Sequence, residues 1–253
     1  MKKAILYLIA FIVIQIFGGY VVYGLWKLLN ISAGPTIRII TTSCVTSLFT
    51  IGFFLLIHAA EVSPRWLRTR PWAVLCWSSL AALGAIIPSD WLQSLMPELP
   101  NFVEQEFDMI LQNRWGYLAI GLLAPLSEEL VLRGAILKSL LRSPKLSPWG
   151  AIAISAVLFA LVHFNPVQMP HAFLIGLLLG WMYYRTDSIL PGVALHWVNN
   201  TVAYILYNLY PDPQMDCTKL FGSQKAAIAA VFFSLFILLP AIYQLHLRMK
   251  KAE

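Results

Sequence analysis

Residues 127–134, which read SEELVLRG, lie inside the hydrophobic run 116–141, and this run predicts a membrane-spanning helix. An ionised side chain near the centre of a bilayer costs roughly 2.5–3.5 kcal/mol on insertion scales. Glu129 and Arg133 are four residues apart, so they share a helix face and can form an ion pair. Glu128 points about 100° away from Glu129 and has no partner at helical spacing. This leftover carboxylate indicates a functional site. The structural alternative is a buried ion pair that joins helices, with Glu128 as a bystander.

The composition is that of a polytopic membrane protein with an all-α fold. The chain has 253 residues, of which 59% are hydrophobic and 12% are charged, whereas soluble domains carry about 25% charged residues. No loop between hydrophobic segments is long enough to fold alone, so we expect residues 1–253 to form a single membrane domain. The net charge of +6 comes from residues at segment ends, where they set topology. It therefore does not indicate a nucleic-acid partner.

Eight hydrophobic segments are each near the ~20 residues that a helix needs to cross a bilayer. The first is expected to be a retained helix and not a cleaved signal peptide. The segments are 4–29, 35–60, 72–95, 114–141, 148–164, 167–184, 189–209 and 226–245.

The Lys and Arg residues of 2–3, 65–70, 138–145, 185 and 248–251 fall on one side of this eight-helix arrangement. Cytoplasmic loops carry an excess of Lys and Arg, so both termini are predicted to be cytoplasmic. The short loops and the Lys-rich start favour a bacterial cell membrane. On the other side, the acidic stretch 98–112 predicts either an amphipathic surface helix or a solvated loop.

Two further apolar segments carry polar side chains. Phe159 and His163 are four residues apart and share a helix face, and so do His196 and Asn200. Three helices therefore offer polar groups that must find partners inside the bundle. The structural alternative for each group is an interhelical hydrogen bond.

These groups suit hydrolysis in two ways, which the residues alone leave open. Glu128 can act as a general base on a water held between it and His163, while His196 and Asn200 donate hydrogen bonds to the oxyanion. Alternatively, Glu128, His163 and His196 hold a divalent metal such as zinc that activates the water. The HExxH signature of many zinc proteases is absent.

The three constellations follow one another as three motifs, EExxxR, FxxxH and HxxxN. They read Glu128-Glu129-x-x-x-Arg133, Phe159-x-x-x-His163 and His196-x-x-x-Asn200. In this order, over about residues 116–200, the sequence resembles the CPBP membrane peptidases, which include CAAX proteases and bacteriocin-processing enzymes and are also called the Abi family.

This resemblance implies an eight-helix intramembrane endopeptidase that cleaves a membrane-associated or lipidated protein or peptide. Glu128 would activate water, with His163 as its partner, and His196 and Asn200 would stabilise the oxyanion. Glu129 and Arg133 would hold the site together. Both a metal mechanism and a glutamate-only mechanism are argued for such enzymes.

Two other functions compete with the peptidase. One is a non-catalytic membrane scaffold or bacteriocin-immunity-type protein, in which the buried polar groups serve packing and partner binding. The other is a transporter with a protonatable Glu128, but the sequence shows no inverted repeat.

The predicted segments place the site residues at different depths. His163 falls near the outer end of the fifth segment, His196 near the inner end of the seventh, and Glu128 near the middle of the membrane. A single site requires that the fifth helix stops short, that the helices tilt, or that the boundaries differ. We therefore predict a water-filled cavity at the ends of the fifth and sixth segments.

Overall fold

Each of the eight hydrophobic segments is helical in the computed structural model, which describes residues 1–30, 32–210 and 216–252. No strand occurs within these ranges. In chain order the α-helices are α1 (Lys2–Leu28), α2 (Pro35–Leu56), α3 (Pro64–Arg68), α4 (Trp72–Ser94), α5 (Glu104–Leu111), α6 (Ala124–Glu129), α7 (Lys138–Leu141), α8 (Pro148–Leu161), α9 (Met169–Thr186), α10 (Leu190–Leu209), α11 (Cys217–Phe221) and α12 (Gln224–Arg248).

The chain is a polytopic helical membrane protein. Within the described ranges, four helices are long and apolar enough to cross a membrane, namely α1, α2, α4 and α12. Their outer faces stay unburied in the folded chain, as Phe17 in α1 and Phe232 in α12 illustrate. The structure supports four of the eight predicted crossings by length and composition. Helix α8, for example, has only 14 residues.

The centre of the bundle is a continuous helix over residues 118–141, which we call the motif helix. It consists of α6, α7 and two π-helical turns, Leu118–Leu123 and Leu130–Leu137. Every residue of the second π-helical turn is buried. Helices α1, α2, α8 and α9 all contact this turn. The segment that bears the charged motif is therefore shielded from lipid on all sides.

Two local features bring the site residues to similar depth. Helix α8 ends at Leu161, earlier than the predicted boundary of 164, and its 14 residues span about 21 Å, less than the roughly 30 Å of a bilayer core. In the turn between α9 and α10, the side chains of Ser188 and Ile189 are buried. The N–H of Ile189 donates to Oγ of Ser63 at 3.3 Å. Helix α10 therefore begins inside the bundle and not at its surface.

The acidic stretch forms a short helix, α5, as one of the two sequence alternatives predicted. Glu104 and Glu106 are exposed, whereas Ile110 and Leu111 are buried. The hydroxyl of Tyr207 in α10 donates to Oδ1 of Asp108 at 2.8 Å. These contacts fix α5 against the bundle next to the beginning of the motif helix.

Candidate active site

The two glutamates of the motif helix lie in α6, between the two π-helical turns. Such turns leave the α-helical hydrogen-bond register and are frequent at functional sites. Pro125 lacks an N–H group, so it cannot donate to the carbonyl of the preceding turn. The side chain of Asn200 takes this place, because its Nδ2 donates to the carbonyl of Ile120 at 3.0 Å. The third motif thus stabilises the break in the helix that carries the first.

Glu129, Arg133 and His196 form a buried network behind the cavity. Nη1 of Arg133 donates to Oε1 of Glu129 at 3.0 Å, and both side chains are completely buried. Nδ1 of His196 lies 3.3 Å from the same oxygen. Nη2 of Arg133 also donates to the carbonyl of Gly176 in α9 at 3.2 Å. A buried charge needs a partner and hydrogen bonds. This network supplies partners from three helices, but Oε2 of Glu129 and Nε of Arg133 have no hydrogen-bond partner among the described residues.

The aromatic ring of the second motif, Phe159, contacts the arginine of the first motif and both histidines of the site. The guanidinium carbon of Arg133 is 4.3 Å from the centre of the Phe159 ring, a cation–π contact. The same ring makes edge-to-face contacts with His163 at 5.0 Å and with His196 at 5.5 Å. Phe159 therefore orients both histidines as well as the arginine.

Glu128 and His163 line one cavity of about 400 Å³. The Glu128 side chain is 21% exposed, and its Oε2 lies 3.8 Å from Nε2 of His196. Although Oε2 is buried, it has no hydrogen-bond partner among the described residues. The sequence predicted a cavity at the ends of the fifth and sixth segments. This cavity lies beside residues 162–164, directly after α8, but no described residue of the sixth segment lines it.

The tautomer of His163 follows from its neighbour. Its Nδ1 lies 2.7 Å from the carbonyl oxygen of Phe159. A carbonyl oxygen can only accept a hydrogen bond, so Nδ1 must carry the proton. Nε2 of a neutral His163 is then an acceptor for a water molecule in the cavity.

The structure thus brings together five of the six predicted site residues, and Asn200 lies apart from them. The described residues that line the cavity include Glu128 and His163 but neither His196 nor Asn200. His196 contacts Glu128 on the side of the carboxylate that faces the buried network and not the cavity. The amide of Asn200 is held by Ile120 and accepts from Nδ2 of Asn199 at 3.3 Å.

A metal that organised the site would have to use Nε2 of His163 and Nε2 of His196 together with Glu128. In the part of the chain that the structure describes, no group of three or more His, Cys, Asp or Glu side chains is arranged to hold a metal ion. Nδ1 of His163 and Nδ1 of His196 are both turned to other partners.

Two glycines contribute to the site, and the sequence analysis missed them. A Cβ atom on Gly192 would lie 2.8 Å from Oε2 of Glu129, and one on Gly176 would lie 3.2 Å from the ring of Phe159. Small residues in apolar helices allow close approach. A glycine in an apolar segment was visible in the sequence at both positions, but the sequence alone does not show which side chain packs against it.

A second cavity of about 420 Å³ lies beside the first, and Phe107 of α5 lines both. Its polar lining includes Asp90, Asp108, His171 and Asn199. Nδ1 of His171 and Oγ of Ser89 share a hydrogen bond of 2.6 Å.

Together these features define a helical membrane protein whose buried Glu–Arg–His network adjoins a cavity with a carboxylate and an imidazole. Residues 110–202 match a family described as type II CAAX prenyl endopeptidase Rce1-like. The match includes all three motifs and confirms the resemblance to the CPBP-family intramembrane proteases. The family indicates a protease of the CAAX type. No curated protein and no solved structure matches the chain.

Proposed function

We propose that this protein is an intramembrane endopeptidase in which Glu128 activates water for attack on a peptide bond. The observation that carries the proposal is the shared cavity. Glu128 of α6 and His163, which lies two residues after the end of α8, line it together. Oε2 of Glu128 has no hydrogen-bond partner among the described residues. A general base must keep such an oxygen available for the proton that it abstracts.

The proposed reaction begins when Glu128 takes a proton from a water molecule that also donates to Nε2 of His163. The water oxygen forms a bond with the carbonyl carbon of the peptide, and the carbonyl oxygen becomes an oxyanion. The C–N bond then breaks, and protonated Glu128 returns its proton to the leaving amine. The products are a carboxylic acid and an amine, which exchange a proton to become a carboxylate and an ammonium group, and Glu128 is again ionised for another cycle.

In this scheme His196 lies between two carboxylates, the structural Glu129 and the catalytic Glu128. Its Nδ1 faces Glu129, which is paired with Arg133, and its Nε2 is 3.8 Å from Glu128. His196 therefore links Glu128 to the buried Glu129–Arg133 pair and positions the Glu128 carboxylate. Asn200 could join the oxyanion stabilisation only by leaving the carbonyl of Ile120.

We also propose that all eight long helical segments cross the membrane, with both termini on the cytoplasmic side. The four segments beyond α1, α2, α4 and α12 are the ones that bear the motifs or pack directly on them. Polar residues that face the inside of a bundle lower the mean hydropathy of a helix. Such a helix can still cross the membrane, because these residues do not contact lipid. The substrate is then a membrane-associated or lipidated peptide that reaches the cavity from the bilayer.

Mass spectrometry of membrane-peptide termini tests the proposal in cells that carry the wild-type protein, Glu128→Gln or His163→Ala at matched levels. Glu106→Gln is the matched control, because Glu106 is exposed on α5 away from the cavity lining. We expect termini that occur with the wild type and the control but fall by about 10²–10⁴-fold with Glu128→Gln. Identical termini in all strains would favour the non-catalytic scaffold.

A further inference from the structure

Most of the Lys and Arg residues lie at one end of the bundle, with Lys27, Arg38, Arg114, Lys219 and Lys225 among the exceptions. Contacts between distant segments define this end. Nε1 of Trp66 donates to the carbonyl of Lys250 at 3.3 Å, and Nζ of Lys138 donates to Glu61 at 3.3 Å. The guanidinium group of Arg185 donates to the carbonyl of His246 at 2.9 Å. We call the segments 61–70, 138–145, 185–188 and 246–252 the cationic end.

The segments that meet at the opposite end carry acidic residues, such as Asp90 and Glu104, and no Lys or Arg. Contacts between distant segments define this end as well. Nδ2 of Asn165 donates to Oδ1 of Asn101 at 2.9 Å, and Nε2 of Gln93 donates to the carbonyl of Val167 at 2.9 Å. We call the segments 87–108, 162–168 and 216–217 the acidic end. The residues that directly follow α8 and the whole of α5 except its last turn lie within it.

The catalytic cavity extends from the middle of the bundle to the acidic end. Its lining includes Gln15 of α1 and Thr46 of α2, both near the middle of their helices, together with Phe107 and Phe164 of the acidic end. The Phe164 side chain is 62% exposed. Among the described residues, none from the cationic end lines this cavity. The cavity is therefore asymmetric along the bundle, and the end that Phe107 and Phe164 line faces away from the cationic end.

In membrane proteins, an excess of Lys and Arg marks the cytoplasmic side. From this asymmetry we infer that the catalytic cavity opens on the extracytoplasmic side of the membrane. The substrate class is then a membrane-anchored peptide whose scissile bond lies in the extracytoplasmic half of the bilayer or just outside it. The substrate part of this inference rests on the proposed peptidase function, whereas the orientation of the cavity does not.

Side-specific thiol labelling tests the orientation without any need for activity. Full-length variants lack Cys44 and Cys76 and carry one new cysteine, Phe164→Cys at the cavity mouth or Glu106→Cys on α5. Arg68→Cys, which is also exposed, reports on the cationic end. Native Cys217 is kept, because it is buried and its pKa is raised to about 12 by burial and by nearby Asp90, which makes it slow to react.

A membrane-impermeant maleimide is added to intact cells stripped of their outer envelope. We expect it to label the cysteines at 164 and 106, and to label the cysteine at 68 only after permeabilisation. The reverse pattern would overturn the inference. The Glu128→Gln background is expected to give the same pattern, which separates orientation from catalysis.

The second part of the test uses the peptide termini that mass spectrometry detects only when Glu128 is intact. If the substrate class is right, these termini map to segments on the extracytoplasmic side of membrane-anchored proteins. Termini in cytoplasmic segments would overturn the inference and leave the peptidase function intact. If no terminus depends on Glu128, the peptidase function and the substrate class both fail, and the labelling still decides the orientation.

Discussion

Nδ1 of His196 lies 3.3 Å from Oε1 of Glu129, although the two residues are 67 positions apart in the chain. The same carboxylate oxygen accepts from Nη1 of Arg133. This one oxygen therefore ties the third motif to the first, inside a region that is closed to lipid. The catalytic proposal depends on this link, because it fixes the imidazole whose other nitrogen faces Glu128.

The first prediction concerns the buried ion pair. Glu129→Gln leaves the charge of Arg133 in the core without its carboxylate, and we expect a loss of about 3–5 kcal/mol in the free energy of unfolding. Removing both charges in Glu129→Gln/Arg133→Met should recover most of this loss. Thermal unfolding in detergent measures both effects.

Activity separates this structural role from a catalytic one. The double variant is expected to fold but to cleave poorly, since His196 loses the carboxylate that orients it. A Glu129→Gln variant with wild-type stability would contradict the idea that the pair holds the site together.

The second prediction concerns Gly192. Alanine normally stabilises a helix relative to glycine by roughly 0.5–1 kcal/mol. Here its Cβ would lie 2.8 Å from Oε2 of Glu129, and the buried carboxylate has little room to move. We expect Gly192→Ala to lower the cleavage rate by about ten- to a hundredfold, because small displacements of catalytic groups are costly.

Gly52→Ala in α2 is the matched control, since a Cβ atom there would meet nothing within 4 Å. It should keep both stability and cleavage. Equal rates for the two variants would show that the carboxylate position tolerates displacement and that Gly192 has no role in the site.

The sequence predicted the helical class and the positions of the hydrophobic segments, because hydropathy is a local property of the chain. It also proposed six site residues from their four-residue spacing. The structure brings five of them together, and their catalytic roles stay predictions. The sequence did not predict the π-helical turns of the motif helix or the buried turn before Leu190, and it gave the early end of α8 only as one of three alternatives. Each of these depends on distant partners, such as Ser63 for the turn and Asn200 for the first π-helical turn.

The third prediction concerns Phe159. Its replacement by leucine removes the cation–π contact with Arg133 and the ring contacts with His163 and His196. We expect a loss of about 1–3 kcal/mol in the free energy of unfolding, from the cation–π and aromatic contacts together. Phe232→Leu is the control, because Phe232 lies exposed on the outer face of α12. A similar unfolding midpoint for both variants would contradict the orienting role of Phe159.

The last prediction separates two roles of Asn200. In the structure its Nδ2 donates to the carbonyl of Ile120, next to the gap that Pro125 leaves. If this is its main role, Asn200→Ala should lower the free energy of unfolding by about 0.5–1.5 kcal/mol and reduce cleavage less than tenfold. The loss of an oxyanion donor has a different signature, because it costs about 10²–10³-fold in kcat with stability unchanged.

We expect the first outcome, since the amide is already engaged by the backbone. Unfolding midpoints and kcat, measured on the same preparations, give the answer. A large loss of kcat with an unchanged midpoint would show that Asn200 leaves Ile120 during the reaction and donates to the oxyanion. Asn200 would then join Glu128 and His163 among the groups that contact the reacting atoms.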